Sequence, residues 1–355
     1  MSSSDLAGWT PINLRWQAGH PIVDWCRLGE ARFTDPFFEQ TIARALHNPA
    51  RFLFRRETPL AALDEFHLRP PGVPPSGFIF HLSRCGSTLI SQLLAALPQN
   101  IVISEAPPLD QVLSVHRRDP GVTRERRIAW FRGMVGAFGQ RRDGAERHLF
   151  IKLDSWHTLE LPLIREAFPD VPWIFLYRDP VEVMVSQHRQ RGTQMIPGIV
   201  DPRLFDLDPA AVLQMPLDEY CARVLARIGM AAAMHAQLGH GQLVNFSQLP
   251  GVVWNSLGTF FGCSWTPADL DRMRSATQAN AKNPSLPYAD DTAEKQRGAT
   301  DEIRRLAAVW LDGLYARLES LRLAQADGTV AAPAADASAS SSARSQSFTT
   351  QSITK

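Results

Sequence analysis

Between Gly77 and Leu97 the chain reads GFIFHLSRCGSTLISQLLAAL: an apolar run, a short polar turn, then an amphipathic stretch at helical spacing. The run Phe78-Ile79-Phe80-His81-Leu82 is short, aromatic and branched, as a buried parallel strand should be. The turn Ser83-Arg84-Cys85-Gly86-Ser87-Thr88 then brings backbone N–H groups and hydroxyls to a helix N-terminus, whose unpaired amides and dipole suit an anion. An oxyanion of a nucleotide is the natural guest of such a strand, loop and helix.

A nucleoside-triphosphate loop carries Lys before the Ser/Thr, to reach the terminal phosphates, with the hydroxyl on magnesium. Here Ser87 stands in the place of that Lys, and the positive charge comes earlier, from Arg84. The stretch resembles the sulfotransferases that use 3′-phosphoadenosine 5′-phosphosulfate (PAPS), whose loop reads Arg/Lys-Ser-Gly-Ser/Thr-Ser/Thr. Arg84-Cys85-Gly86-Ser87-Thr88 matches it with Cys85 in place of a serine. The resemblance implies that these five residues hold the 5′-phosphosulfate.

A second phosphate element follows in the family's order. Val171 to Tyr177 reads as a buried strand that runs into Arg178-Asp179-Pro180-Val181-Glu182-Val183-Met184-Val185-Ser186. Pro180 helps to start a helix, which brings the Arg178 guanidinium and the Ser186 hydroxyl to the rim of the sheet. This resembles the sulfotransferase 3′-phosphate element, so the resemblance assigns Arg178 and Ser186 to the 3′-phosphate of PAPS. Later, Lys295-Gln296-Arg297-Gly298 partly matches a loop that closes on the same phosphate in cytosolic sulfotransferases, which nominates Arg297 and Gly298.

Three further strands complete the alternation. Asn100 to Ser104 precedes Glu105, at a strand end where open parallel sheets put their ligands. In tyrosylprotein and some bacterial carbohydrate sulfotransferases a glutamate in this place is the base, so the resemblance makes Glu105 the first candidate. His148 to Asp154 carries Lys152, which by the same resemblance reaches the oxygen bridging phosphate and sulfate. Cytosolic members place a histidine base two residues after that lysine. Asp154 stands there in this chain, with His157 in reserve. The fifth strand is Gly241 to Phe246, followed by Ser247-Gln248 where the family has an acidic pair.

Five strands alternating with helices predict an α/β fold, a three-layer sandwich with a central parallel sheet of about five strands, of phosphate-loop nucleotide-binding type. Three segments are expected: a helical extension over residues 1–75, with a helix from Phe37 to Phe54; the sulfotransferase-like domain over 76–323; and a low-complexity tail over 324–355 that cannot bury a core. The arginine-rich stretch 107–145 reads as a solvated helical face. Residues 188–219 read as a lid or acceptor-binding segment, with His188, Arg189, Gln190 and Arg191 facing the site.

With 45% hydrophobic and 21% charged residues and a net charge of +1 over 355 residues, the composition is that of a soluble globular chain and gives no reason to expect a nucleic-acid partner. No apolar run approaches spanning length and no signal peptide is evident, which suggests a cytoplasmic protein. Four scattered cysteines, Cys26, Cys85, Cys221 and Cys263, indicate neither a zinc site nor a disulfide framework. The resemblance implies sulfuryl transfer from PAPS, leaving PAP, to a hydroxyl or amine; because the sulfuryl group carries less charge than a phosphoryl group, no metal is expected. Glu105, Arg84 and Lys152 are its catalytic residues. The acceptor is open among small-molecule, carbohydrate, lipid and protein tyrosine, and oligomeric state is not written in the motifs. Alternatives are a phosphotransferase with a variant loop, for which Asp154 is the candidate magnesium ligand, and a non-catalytic nucleotide-binding protein.

Overall fold

The computed structural model describes residues 6–68, 72–278, 281–282 and 291–327. The chain opens with strands, not helix. β1 (Trp9–Gln17), β2 (His20–Arg27) and β3 (Arg56–Pro59) form an antiparallel sheet in that order. Ala18 and Gly19 join the first two, both at positive φ (49° and 81°). Such primed turns match the twist of adjacent strands. The expectation of a helical extension is therefore corrected over residues 9–27. The two-residue alternation is interrupted by a bulge between Pro11 and Asn13, where the consecutive Thr10, Pro11 and Ile12 are all buried. The helix expected from Phe37 to Phe54 is two, Phe38–Leu46 and Pro49–Leu53. Pro49 interrupts the first, and the Asn48 carboxamide caps the second by accepting from Ala50 N at 2.9 Å.

β1 is an edge strand, and side chains of the main domain satisfy part of that edge. The Leu14 amide donates to Gln111 Oε1 at 2.7 Å, and the Gly8 amide to Gln140 Oε1 at 2.8 Å. Gln140 Nε2 returns a bond to the Trp9 carbonyl. Trp25 is fully buried, donates to Thr58 Oγ1 and stacks on Phe66 with centroids 5.6 Å apart.

The five expected strands are present, with ends displaced by a few residues: β4 (Pro75–His81), β5 (Asn100–Ser104), β6 (His148–Lys152), β7 (Trp173–Tyr177) and β8 (Gly241–Asn245). They pair in the order β5-β6-β4-β7-β8, every pair parallel, with helices around the sheet. Buried aromatics join neighbouring strands and seat those helices. Phe78 packs on Phe131 and Phe168, Phe80 meets Trp173 edge-on, and Phe150 meets Phe261. Each such side chain contributes roughly 1.5–3 kcal/mol by leaving water.

Of the arginines expected on a solvated face, Arg124 and Arg126 are exposed. Arg127 instead is buried and pairs with Glu160 at 2.9 Å. Thr300 caps the helix Asp301–Trp310 as its sequence suggests. A further helix, Asp312–Ala326, carries order past the expected start of the tail; residues 328–355 lie outside the described residues, as do 69–71 of the proline-rich boundary. Among the described residues no helix is long and apolar enough to cross a membrane.

Candidate active site

β4 stands in the middle of the sheet, so the loop after it opens at the centre of the sheet's carboxyl edge. Gly86 caps the helix Ser87–Ala95 at φ 94°. A Cβ there would lie 2.8 Å from the Phe246 ring and 3.0 Å from Leu249, so both conformation and space require glycine. Ser83 and Arg84 also have positive φ, 76° and 53°. Side-chain-bearing residues rarely adopt this region, which costs on the order of 1–2 kcal/mol each. The strain sits beside a cavity of about 250 Å³ whose lining includes residues 83–88, His81, Glu105 and Asp154. Cys85, which replaces the expected serine, turns its thiol away and donates to the Leu176 carbonyl at 3.1 Å. Burial pushes that thiol up to about 11.

The parallel register builds the charged centre. Ser104 on β5 is level with Lys152 on β6, so Glu105 is the first residue past the strand. Its amide still donates to the Lys152 carbonyl at 2.8 Å, and its own φ is positive, 51°. That turn brings Glu105 Oε1 to 2.6 Å from Lys152 Nζ. Lys152 is wholly buried, 3.4 Å from Thr88 Oγ1 and over the Phe37 ring at 4.9 Å. Burial raises the Glu105 carboxyl, but the Lys152 charge and the His81 hydrogen bond outweigh it and hold the group well below the usual carboxylate range. Lys282, exposed to solvent, also lines this cavity.

His81 belongs to this centre although only its place in the strand was read from the sequence. Its Nδ1 accepts the Ser83 amide at 3.1 Å, which puts the proton of the neutral ring on Nε2. Nε2 faces the Leu153 carbonyl at 3.0 Å and Glu105 Oε1 at 3.2 Å. Burial, the largest influence, lowers its pKa. His81 therefore donates to Glu105 and orients it. The signal was a histidine closing an apolar strand directly before the loop.

Asp154 lines the same cavity, where burial, aided by Glu105 and Asp110, pushes its carboxyl up to about 7. His157 is buried with Nε2 held by Asp110 Oδ1 at 2.9 Å and Nδ1 3.9 Å from Asp154. It is not among the residues that line the cavity.

The two expected phosphate elements meet through Arg84. Its Nε donates to Ser186 Oγ at 3.0 Å and its Nη2 to Gln190 Oε1 at 3.1 Å. Arg178 is buried, 3.8 Å over the Phe246 ring, and its guanidinium bonds Glu182 at 2.5 Å, Asp291 Oδ1 at 2.8 Å and Thr292 Oγ1 at 3.2 Å. Lys295 holds the other oxygen of Asp291 at 2.7 Å. A carboxylate thus sits between the Arg178 and Lys295 cations, a contact no motif announced.

Of the four residues expected to face the site from the 188–219 segment, Gln190 reaches Arg84. His188 and Arg191 turn instead to Asp218, and Arg189 to Glu294. Gly192, Thr193 and Gln194 line the cavity in their place. Arg297 is exposed at the end of the helix Thr292–Arg297, and Gly298 follows it against Arg189.

Comparison with known proteins finds a family match over part of the chain. Residues 75–197 match the model of the sulfotransferase family. No curated protein matches the chain. Among solved structures, the chain is similar to a sulfotransferase from Alicyclobacillus acidocaldarius, at 17% identity and TM-score 0.42 over 71% of this chain and 96% of that one. It is also similar to a sulfotransferase from Mycobacterium avium (12%, TM-score 0.40, 70% and 78%) and to a mouse sulfotransferase complexed with PAP (14%, TM-score 0.39, 74% and 93%). The matched segment carries the loop, the Glu105 turn, Lys152 and the Arg178 strand end.

Proposed function

We propose that the protein transfers a sulfuryl group from PAPS to a hydroxyl or amine, with Glu105 as the base. The observation that carries this reading is the place of Lys152, a buried cation 3.4 Å from the loop hydroxyl of Thr88 and 2.6 Å from Glu105. It links an anion-holding loop to a carboxylate that can take a proton. The residues present fit the donor. The loop amides, Ser87, Thr88 and Arg84 would hold the 5′-phosphosulfate, and Arg178 with Ser186 the 3′-phosphate, once Asp291 yields its place on Arg178. PAPS when bound supplies the sulfuryl group and leaves as PAP.

The chain's own residues do the rest. Paired with Lys152, Glu105 is a weak base. An anion in the loop competes for the Lys152 ammonium, frees the Glu105 carboxylate and raises its proton affinity, so the base is armed when donor is present. His81 keeps Glu105 oriented from the other side. Arg84 and Lys152 offset the negative charge that develops on the leaving phosphate oxygen. Glu105→Gln keeps an oxygen for Lys152 to bond while removing the base. Transfer from radiolabelled PAPS to a panel of phenol, sterol and saccharide acceptors should fall at least ~1000-fold, within the range for a lost acid–base group and its electrostatics. PAP binding should persist; unchanged turnover removes Glu105 from the mechanism.

A second candidate for the base rests on one observation: Asp154, in the same cavity, is raised to about 7, the range a general base needs. Asp154→Asn in the same assay separates the two.

A further inference from the structure

A second cavity, of about 380 Å³, adjoins the first across Trp156, which lines both. Three walls form it. Leu14 and Trp16 come from β1; Asp110, Gln111 and Arg117 come from the helix Pro107–Ser114 and the turn that follows it; Ile199 to Asp201 close the third side. The first two walls are fixed to each other, because Gln111 accepts from the Leu14 amide at 2.7 Å and donates to Asn13 Oδ1 at 2.8 Å. The Trp156 indole donates to Asp110 Oδ1 at 2.7 Å.

The lining says what fits. Two indoles, those of Trp16 and Trp156, line it together with carboxylate, carboxamide, hydroxyl and guanidinium groups. A sterol or a lipid chain would displace water from the Arg117 and Arg118 guanidiniums and from the Asp110 oxygen that does not meet Trp156 and His157, at a cost of about 1–3 kcal/mol for each group left unpaired. A pyranose matches both features, with C–H faces for the indoles and hydroxyls for the planar polar groups. The charge balance narrows the choice. Asp201 is held by Arg203 at 2.8 Å and Asp110 by His157 at 2.9 Å. Arg117 and Arg118 are exposed on the rim, with no ion pair to a carboxylate among the described residues. The cavity's unspent charge is positive.

We propose that this cavity is the acceptor site and that it takes a saccharide carrying an acidic group. The hydroxyl to be modified reaches past Trp156 to Glu105. Glu105 lines the first cavity, and Asp110, on the helix that starts two residues after Glu105, lines the second. The proposal rests on the sulfuryl-transfer reading and assigns a role to the N-terminal sheet, whose Trp16 forms part of the cavity wall.

The test is calorimetric titration of the full chain, with PAP present, using uronate-containing tetrasaccharides of hyaluronan, chondroitin and alginate, with neutral maltotetraose and 4-nitrophenol as comparators. At least one acidic tetrasaccharide is expected to bind tenfold or more tighter than the comparators. Trp16→Ala and Arg117→Ala/Arg118→Ala should each weaken it at least tenfold, with PAP affinity and melting temperature kept near wild type. PAP binding with no acidic saccharide bound, or with the phenol preferred, overturns this proposal alone. So does saccharide binding that ignores both variants, or that treats neutral and acidic sugars alike. Loss of PAP binding by the wild-type chain instead removes the sulfuryl-transfer reading beneath it.

Discussion

Replacing Lys152 by methionine keeps a long apolar stem against Phe37 and deletes the ammonium with its contacts to Glu105 and Thr88. Its ammonium is wholly buried, 2.6 Å from Glu105. Orphaning one partner of a buried pair costs about 3–5 kcal/mol. Glu105 keeps 23% of its side chain open to the cavity, so water reaches the abandoned carboxylate and the cost should fall at the low end, about 3 kcal/mol at pH 8. The pH dependence follows from the sign of the shift. In the wild type the folded-state value lies below the unfolded one, so the pair's contribution is present above the unfolded carboxylate range and is lost only as pH falls through the depressed folded value. Without Lys152 burial dominates and the folded value rises above the unfolded one. The penalty is then full at alkaline pH and shrinks as the carboxyl takes up a proton. Urea unfolding followed by tryptophan fluorescence should show Lys152→Met destabilised by about 3 kcal/mol at pH 8 and much less at pH 5. Adding Glu105→Gln should recover all but about 1 kcal/mol, because no uncompensated charge remains. A deficit below 1 kcal/mol, one flat with pH, or one that Glu105→Gln fails to relieve would refute the coupling on which the armed base depends.

Two other perturbations probe the surroundings of that pair. Asp291→Asn removes the carboxylate on Arg178; since Asp291 is 42% exposed, solvent screens the pair, and PAP should bind only about two- to fivefold tighter, with adenosine 5′-phosphosulfate unchanged by calorimetry. Weaker PAP binding would make Asp291 a partner of the nucleotide, not its competitor. Asp154 is raised from 3.8 to about 7, chiefly by burial, so ionising it costs stability as pH climbs from its unfolded value through about 7. Asp154→Asn should therefore melt like wild type at pH 4 and be more stable at pH 8, by at most about 4 kcal/mol; a gain that does not grow with pH would place Asp154 in a solvated setting.

How much of this was legible depended on the range of the interactions. The loop and the central strands announce themselves locally, because a doubly buried strand is a short apolar run and a turn is written in its Gly and hydroxyl residues. Asn100–Ser104 appears with the ends read from the sequence. The N-terminal sheet did not, since the bulge after Pro11 breaks the alternation and its aromatic residues mimic no single period. Glu105 and Lys152 were each singled out, but their contact depends on the register of β5 against β6, which no local pattern encodes. The Arg84–Ser186 bond and the Asp291 carboxylate on Arg178 join positions separated by 102 and 113 residues. A histidine in an apolar strand reads as core, and the role of His81 emerges only where the Ser83 amide fixes its tautomer.

The central claim is that the loop with Arg84 and the strand-end Arg178 recognise a 3′-phosphorylated adenine nucleotide. Titration calorimetry of the purified chain with PAP in EDTA, beside ATP with magnesium, tests this most directly. The account predicts micromolar or tighter PAP binding and much weaker ATP. Tight magnesium-ATP binding with no response to PAP would contradict it and put phosphoryl transfer in its place.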